Sequence, residues 1–337
     1  MAEPAFDAVA MLARLGRAPR RITSDSRQVG AGDAFAAWPG TRVDGRAYIP
    51  DAIARGAGAV LWESQGFRWN AGWAVPNAGI ERLPAKLGYV ADVVYGHPSR
   101  DLWMVGVTGT NGKTTTSQWI AQALDDAGRR CGVIGTLGIG LAGALEPTAN
   151  TTPDAAVFHE TLARFRDEGA KAVSMEVSSI GLDQGRVNGT TFDVAVFTNL
   201  TRDHLDYHGS MAAYGDAKAK LFSWPGLACS VINADDPYGQ RLIDEVRGRG
   251  GRAMSYGVAK AEVAATSVAM GPRGLSLGVA TPWGPGEVAT GVVGAWLWWR
   301  KTLFAARWYL RPVRFVWPVG FVAILAGWVV TESGRQP

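Results

Sequence analysis

Residues 109–115 (GTNGKTT) lie between an apolar run at 102–107 (LWMVGV) and a helical pattern at 118–127. This strand–loop–helix order constrains the chain more than any other feature. Glycines let backbone N–H groups approach phosphate oxygens, and the N-terminus of the next helix favours an anion. Lys113 is placed to neutralise β/γ-phosphate charge, and the Thr114 hydroxyl to ligate Mg²⁺. The strict G-x4-G-K-[ST] form is not met, because Val stands at position 107. The competing reading is a glycine-rich turn beside a surface lysine.

The surroundings suit such a loop. Buried strands are predicted at 102–107, 131–134, 172–177, 194–198 and 230–233, with helical patterns between them. That alternation implies an α/β unit with a mostly parallel sheet covered on both faces. Before it, residues 49–58 (IPDAIARGAG) read as a helix ending in glycine and 59–62 (AVLW) as a buried strand. Residues 95–100 (YGHPSR) read as a linker. The expected organisation is a small α/β domain over 1–97, a phosphate-loop domain over 101–294, and a tail over 296–337. With 47% apolar and 19% charged residues, the chain is globular in composition. Its two cysteines, Cys131 and Cys229, exclude a disulfide scaffold and a four-cysteine zinc site. The N-terminus has no secretory pattern, which predicts a cytoplasmic location.

The formal charge of +4 is unevenly spread. Residues 296–337 hold six Lys/Arg and one acid, so +5, and the remainder, with 28 against 29, is −1. The body therefore offers no basic face for a nucleic acid. Two acidic features follow predicted strands. Glu176 ends the strand at 172–177, where open α/β sheets place ligand groups, and is a candidate Mg²⁺ ligand. Its alternative is a solvated strand-end acid. Residues 198–208 (TNLTRDHLDYH) gather Asp203, His204, Asp206 and His208. They suit a hard cation or a phosphate, or else the histidines are structural.

The stretch VGVTGTNGKTTT resembles the ATP loop of the Mur ligases, the ATP-dependent ligases of peptidoglycan precursor synthesis. This likeness runs from residue 22 to about 294. It implies ATP contacts at Gly109, Thr110, Asn111, Gly112, Lys113, Thr114 and Thr115. NLTRDHLDYHG resembles the tripeptide-forming members, where the first histidine is a metal ligand, here His204. The lysine of the family's Y-x-x-A-K pattern is carbamylated and matches Lys218, which would then join Thr114, Glu176 and His204 around Mg²⁺. Lys113, Lys218, Glu176 and His204 are thereby the implied catalytic residues. NTTPD at 150–154 and MEVSSIGLDQGRV at 175–187 resemble the muramoyl-dipeptide segments, implying contacts from Asn150, Thr151, Thr152, Ser178, Gln184 and Arg186. Ile180 departs from the histidine of many members. In the first domain, Ser24, Ser26, Thr41, Arg42 and Val43 match positions at the uridine-nucleotide end.

The implied reaction adds a third amino acid, meso-diaminopimelate, to UDP-N-acetylmuramoyl-L-alanyl-D-glutamate through an acyl phosphate. ATP and Mg²⁺ serve it, in a protein expected as a monomer. Beyond about residue 294 the resemblance stops, and the family's third domain has no counterpart. The chain is therefore expected to be inactive alone. The alternatives are a non-catalytic nucleotide- or precursor-binding fragment and a membrane-associated chimera. The last arises from the tail. Residues 315–330 (FVWPVGFVAILAGWVV) carry no charge, at about the lower length limit for a spanning helix. The preceding stretch is rich in Trp and Arg, as interfacial segments are. Residues 327–337 (GWVVTESGRQP) resemble subunit I of cytochrome bd ubiquinol oxidase. A hydrophobic helical tail able to contact the inner membrane is expected there.

Overall fold

The computed structural model describes residues 6–16, 18–40, 43–148, 150–258, 260–271 and 274–291. Thr41, Arg42 and the helical tail expected over 296–337 lie outside the described residues. The chain divides into two compact units. The first holds the described residues up to Asp101 together with 153–167 and 183–190, and the second holds 102–152, 168–182 and the described residues from 191 on. Segments that the sequence reading placed in the central domain thus belong with the N-terminal one.

In the first unit four strands pair in parallel in the order β1 (Ile22–Thr23), β2 (Ala34–Ala37), β3 (Ala59–Glu63) and β4 (Asn77–Ile80). All four residues of β2 are buried, as a strand covered on both faces requires. One face packs Leu61 and Ile80 against Leu83, Leu87 and Val90 of helix α3 (Leu83–Val94) and against Ala155 and Ala156 of helix α5 (Ala155–Asp167). Helix α1 (Ala8–Ala13) joins this layer through Met11 and Leu12. The other face packs Phe35 and Val60 against Ile49 and Ala52 of helix α2 (Ile49–Ala54). Glu63 closes the start of α3: its carboxylate accepts from the N–H groups of Arg82 (3.1 Å) and Leu83 (2.8 Å), donors that the first helical turn leaves unpaired.

The second unit is built on one eleven-stranded sheet. Its centre is parallel and runs β12 (Ala253–Gly257), β11 (Cys229–Asn233), β10 (Val194–Phe197), β5 (Trp103–Thr108), β9 (Ala172–Glu176) and β6 (Cys131–Gly135). Beyond β6 lie the antiparallel β7 (Gly138–Leu141) and β8 (Ala144–Glu146). Beyond β12 comes β13 (Val263–Gly271), then antiparallel β14 (Gly274–Thr281) and β15 (Gly284–Gly291). The sheet is thus parallel in the middle and antiparallel at both ends. Helix α4 (Lys113–Asp126) packs on this sheet through Ile120 and Ala121. Helices α6 (Ser179–Asp183), α7 (Leu205–His208) and α8 (Met211–Ala219) follow β9 and β10, and α9 (Pro237–Gly248) follows β11.

Helix α4 starts five residues before the helical pattern at 118. Thr114, Thr115 and Thr116 are β-branched and weak helix formers, so the pattern undervalues them. Gly112, at φ +81°, makes the left-handed turn into the helix. The phosphate loop is therefore short, and Lys113 opens the helix. β5 lies between β9 and β10, with β6 reached beyond β9, so the order reverses around β5. That is where open α/β sheets bind ligands, at the C-terminal strand ends.

Candidate functional site

The ends of β5, β6, β9 and β10 surround a pocket of about 260 Å³. Its floor is the phosphate loop. Gly109 sits at φ +146°, and its Cα lies so close to β10 that a Cβ would fall 1.8 Å from Thr198 Oγ1. The loop is tied down by the segment after β10. Thr110 N donates to Asn199 O (2.9 Å), Asn111 N to Asn199 Oδ1 (2.9 Å), and Thr198 Oγ1 to Asn111 O (2.6 Å). These bonds satisfy the loop's own polar groups and hold it in shape.

Two lysines converge on this loop. Lys113 Nζ donates to Gly109 O (2.9 Å) and Thr110 O (2.8 Å), and Lys218 Nζ donates to Gly109 O (2.7 Å). Lys218 is 1% exposed and stands 4.3 Å from the centre of the Tyr214 ring. Burial, with the Lys113 ammonium adding to it, holds the Lys218 amine well below the ordinary lysine range. Burial also lowers Lys113, while Glu176 and Asp203 oppose that shift.

Glu176, at the end of β9, is 1% exposed. Its Oε2 accepts from Thr114 Oγ1 (2.9 Å) and Thr136 Oγ1 (3.2 Å), and its Oε1 accepts from Thr136 N (2.7 Å). Burial raises its pKa above the ordinary carboxylate value, against the pull of those donors and of Lys113. Thr114 and Glu176 bring two hard oxygen donors together beside a phosphate loop. That donor set fits one Mg²⁺ completed by phosphate oxygens and water. Lys218 as an amine is no Mg²⁺ ligand. It fits only after conversion to a carbamate.

The acidic cluster at 203–208 does not assemble as a ligand set. Asp203 Oδ1 accepts from His204 N (2.9 Å), Asp206 is exposed on α7, and His208 Nε2 meets Ser179 Oγ at 3.0 Å. Only His204 of this group lines the pocket, half exposed and at φ +50°. Among the described residues no three His, Cys, Asp or Glu side chains are grouped to hold a metal.

Of the residues singled out from the sequence, the pocket brings together Thr110, Asn111, Gly112, Lys113, Thr114, Thr151, Glu176, Ser178, His204 and Lys218. Thr152 lies behind them: its Oγ1 donates to Glu176 O and accepts from Ser178 N, both at 3.0 Å, so it braces the wall. Asn150 is exposed outside the lining. Ser24, Ser26, Val43, Gln184 and Arg186 belong to the first unit, where Arg186 Nε donates to Gln184 Oε1 at 2.9 Å. Sequence reading missed three lining residues, Thr136, Ser179 and Tyr214. Thr136 follows β6 directly, and a hydroxyl at a strand's C-terminal end was a usable signal.

The Mur ligase middle domain matches residues 107–297 and the Mur ligase catalytic domain matches residues 20–92. The chain belongs to the Mur ligase family. The family's members include the UDP-N-acetylmuramoyl-L-alanyl-D-glutamate–2,6-diaminopimelate ligase of Chromobacterium violaceum, 51% identical over 286 residues, which are 85% of this chain and 58% of that protein. The Pseudomonas aeruginosa ligase of the same name is 51% identical over 82% of this chain and 56% of its own length. This chain thus spans a little over half the length of the ligases it matches. A solved structure bearing that ligase name superposes with a TM-score of 0.73 at 30% identity, over 91% of this chain and 62% of the other. The MurF ligase of Thermotoga maritima shares the fold, with a TM-score of 0.58 at 19% identity over 81% of this chain and 58% of its own. Residues 284–337 match a different family, cytochrome bd terminal oxidase subunit I. Among the described residues no helix is long and apolar enough to cross a membrane.

Proposed function

We propose that this chain carries the nucleotide- and precursor-binding parts of a ligase. That ligase adds meso-diaminopimelate to UDP-N-acetylmuramoyl-L-alanyl-D-glutamate at the expense of ATP. The observation that carries this reading is the meeting of Lys113, Thr114, Glu176 and Lys218 around one loop. In such a reaction the γ-phosphoryl group passes to the D-glutamyl carboxylate, and the amine of the third amino acid displaces phosphate from the acyl phosphate. Phosphoryl transfer asks a protein mainly for positioning and charge stabilisation.

The residues divide those tasks. The N–H groups at the start of α4 would face the phosphates, since those of Thr110 and Asn111 already donate to Asn199, and the Lys113 ammonium would exchange its two loop carbonyls for phosphate oxygens. Thr114 and Glu176 would hold Mg²⁺, which neutralises phosphate charge when bound. The depressed pKa of Lys218 favours the neutral amine, the form that adds CO₂ with loss of a proton to give a carbamate. A carbamate there would supply the negative charge that a second cation, beside His204, needs. In the first unit Arg186, with Gln184 beside it, presents a planar fork suited to a carboxylate. In the second, Thr151 and Ser178 are assigned to the dipeptide segment. Ser24, Ser26, Thr41, Arg42 and Val43 are assigned to the uridine end, and Asn150 and Thr152 to the dipeptide segment.

Calorimetry tests the reading directly. ATP with Mg²⁺ is expected to bind the native chain and not the Lys113→Ala variant, and equal affinity would remove the phosphate-loop assignment. UDP-muramoyl-L-alanyl-D-glutamate is expected to bind more tightly than the same compound lacking D-glutamate. Arg186→Ala should abolish that difference.

A further inference from the structure

Two of the pocket's hydroxyl groups donate to the protein itself: those of Thr114 and Thr136, both to Glu176. Ser178 Oγ accepts from Gly181 N at 3.0 Å and keeps its own proton. Ser179 is set apart by its partner. It lines the same pocket at the first position of α6, it is 2% exposed, and its Oγ lies 3.0 Å from His208 Nε2. An imidazole nitrogen can donate or accept, so His208 decides which way the Ser179 hydroxyl proton points.

His208 is held firmly enough to make that decision. Its ring packs edge-on against Tyr207 (centroids 4.8 Å apart) and tilted against Tyr214 (5.3 Å). Tyr214 is itself anchored to the phosphate loop by a 3.2 Å contact between its hydroxyl and Thr110 Oγ1. If Nε2 accepts, Ser179 spends its proton on His208 and turns lone pairs toward the pocket. If Nε2 donates, Ser179 accepts from it and keeps its own proton for a ligand. On the phosphate-loop reading the occupant is an oxyanion drawn by the Lys113 ammonium, and only the second arrangement offers it a donor.

We propose that Ser179 is an oxyanion-binding residue of this pocket and that His208 is its positioning residue, donating from Nε2 so that the Ser179 hydroxyl points at a phosphoryl or carboxylate oxygen. This rests on the phosphate-loop reading above, and it adds a contact and a supporting residue to that site. Losing one hydrogen bond to a charged group is expected to weaken binding about tenfold or more.

Two measurements test it on the full chain. The first needs no ligand. The chain has four histidines, so ¹⁵N-histidine spectra are simple, and the His208 signals are those lost in His208→Gln. A proton on Nε2 is expected, and an Nδ1-only tautomer would overturn the proposal whatever the pocket binds. The second titrates ATP with Mg²⁺, ADP with Mg²⁺ and UDP-muramoyl-L-alanyl-D-glutamate into the native chain, Ser179→Ala, His208→Leu, His208→Gln and the Ser179→Ala/His208→Leu double variant. A loss confined to ATP identifies the γ-phosphoryl oxygen, and a loss confined to the dipeptide precursor identifies a carboxylate. In either case His208→Leu should match Ser179→Ala, the double variant should be no weaker, and His208→Gln should recover most of the affinity. Unchanged affinity for all three ligands in Ser179→Ala, or a further loss from His208→Leu when Ser179 is already absent, would refute it. Lys113→Ala serves as the control: a native chain whose ATP affinity ignores Lys113 sinks the phosphate-loop reading, while the histidine spectrum still judges the Ser179–His208 pair.

Discussion

A methyl group on Gly109 would lie 1.8 Å from Thr198 Oγ1, and the backbone there, at φ +146°, is closed to side chains. Gly109→Ala must therefore move the loop away from β10, breaking the bonds that shape it. Nucleotide affinity is expected to fall at least tenfold by calorimetry, a loss that unchanged binding would contradict. A second residue sets an acid limit. His159 is fully buried in the first unit, and its Nε2 lies 2.9 Å from Asn188 O, a carbonyl that can only accept. Nε2 therefore carries the proton. Nδ1 of the neutral ring then faces Asp92 Oδ1 at 3.9 Å, acceptor against acceptor, and both atoms lack a hydrogen-bond partner. Burial holds the His159 pKa below its ordinary value of 6.5, against Asp92, which raises it. The unfolded chain thus binds a proton that the folded chain refuses as pH falls below about 6.5, so stability drops with acidification over that window. Melting temperatures at pH 7.5 and 5.5 should show this drop in the native chain and a smaller one in His159→Leu. His159→Leu should also be less stable at pH 7.5, because Asn188 O loses its donor.

At the scale of elements, helix α9 depends on one side chain at its start. Asp236 Oδ1 accepts from Tyr238 N (2.8 Å) and Gly239 N (3.2 Å), while Oδ2 accepts from Leu200 N (2.8 Å) in the segment after β10. Asp236→Ala removes a cap and a tie to the neighbouring loop together. A loss of about 1–2 kcal/mol is expected in urea unfolding. Elements of the central sheet were legible because β5, β6, β9, β10 and β11 are compact apolar runs buried on both faces. The antiparallel additions were not. β14 (GLSLGVAT) and β15 (GPGEVATG) mix glycine with small residues, a pattern that marks neither strand nor turn clearly. The site was legible where chemistry sits next to a motif, as at Lys113 and Thr114. Thr136 carried a signal of that kind at the end of β6, whereas Tyr214 did not, because only the packing of α8 brings its hydroxyl to Thr110 of the loop. Asp203 and His208 stand close in sequence, yet they meet different partners, His204 N and Ser179 Oγ.

At the scale of the whole molecule, the two family matches at the C-terminal side overlap over residues 284–297, the region where the composition changes. The segments 153–167 and 183–190 carry a different consequence. The first unit's core includes Ala155 and Ala156 of α5, packed with Leu83, Leu87 and Val90. Residues up to Asp101 are made first during synthesis, but the surface that covers them arrives only later. The nascent first unit must wait on the ribosome with the outer side of α3 uncovered until Thr190 has emerged. A polypeptide of residues 1–101 made alone is expected to melt without a cooperative transition, and a sharp transition would show that α5 is dispensable. Synthesis of this chain's N-terminal unit is thus not a vectorial, domain-by-domain process, and a ribosome stalled between residues 101 and 167 is expected to display an apolar face that chaperones recognise.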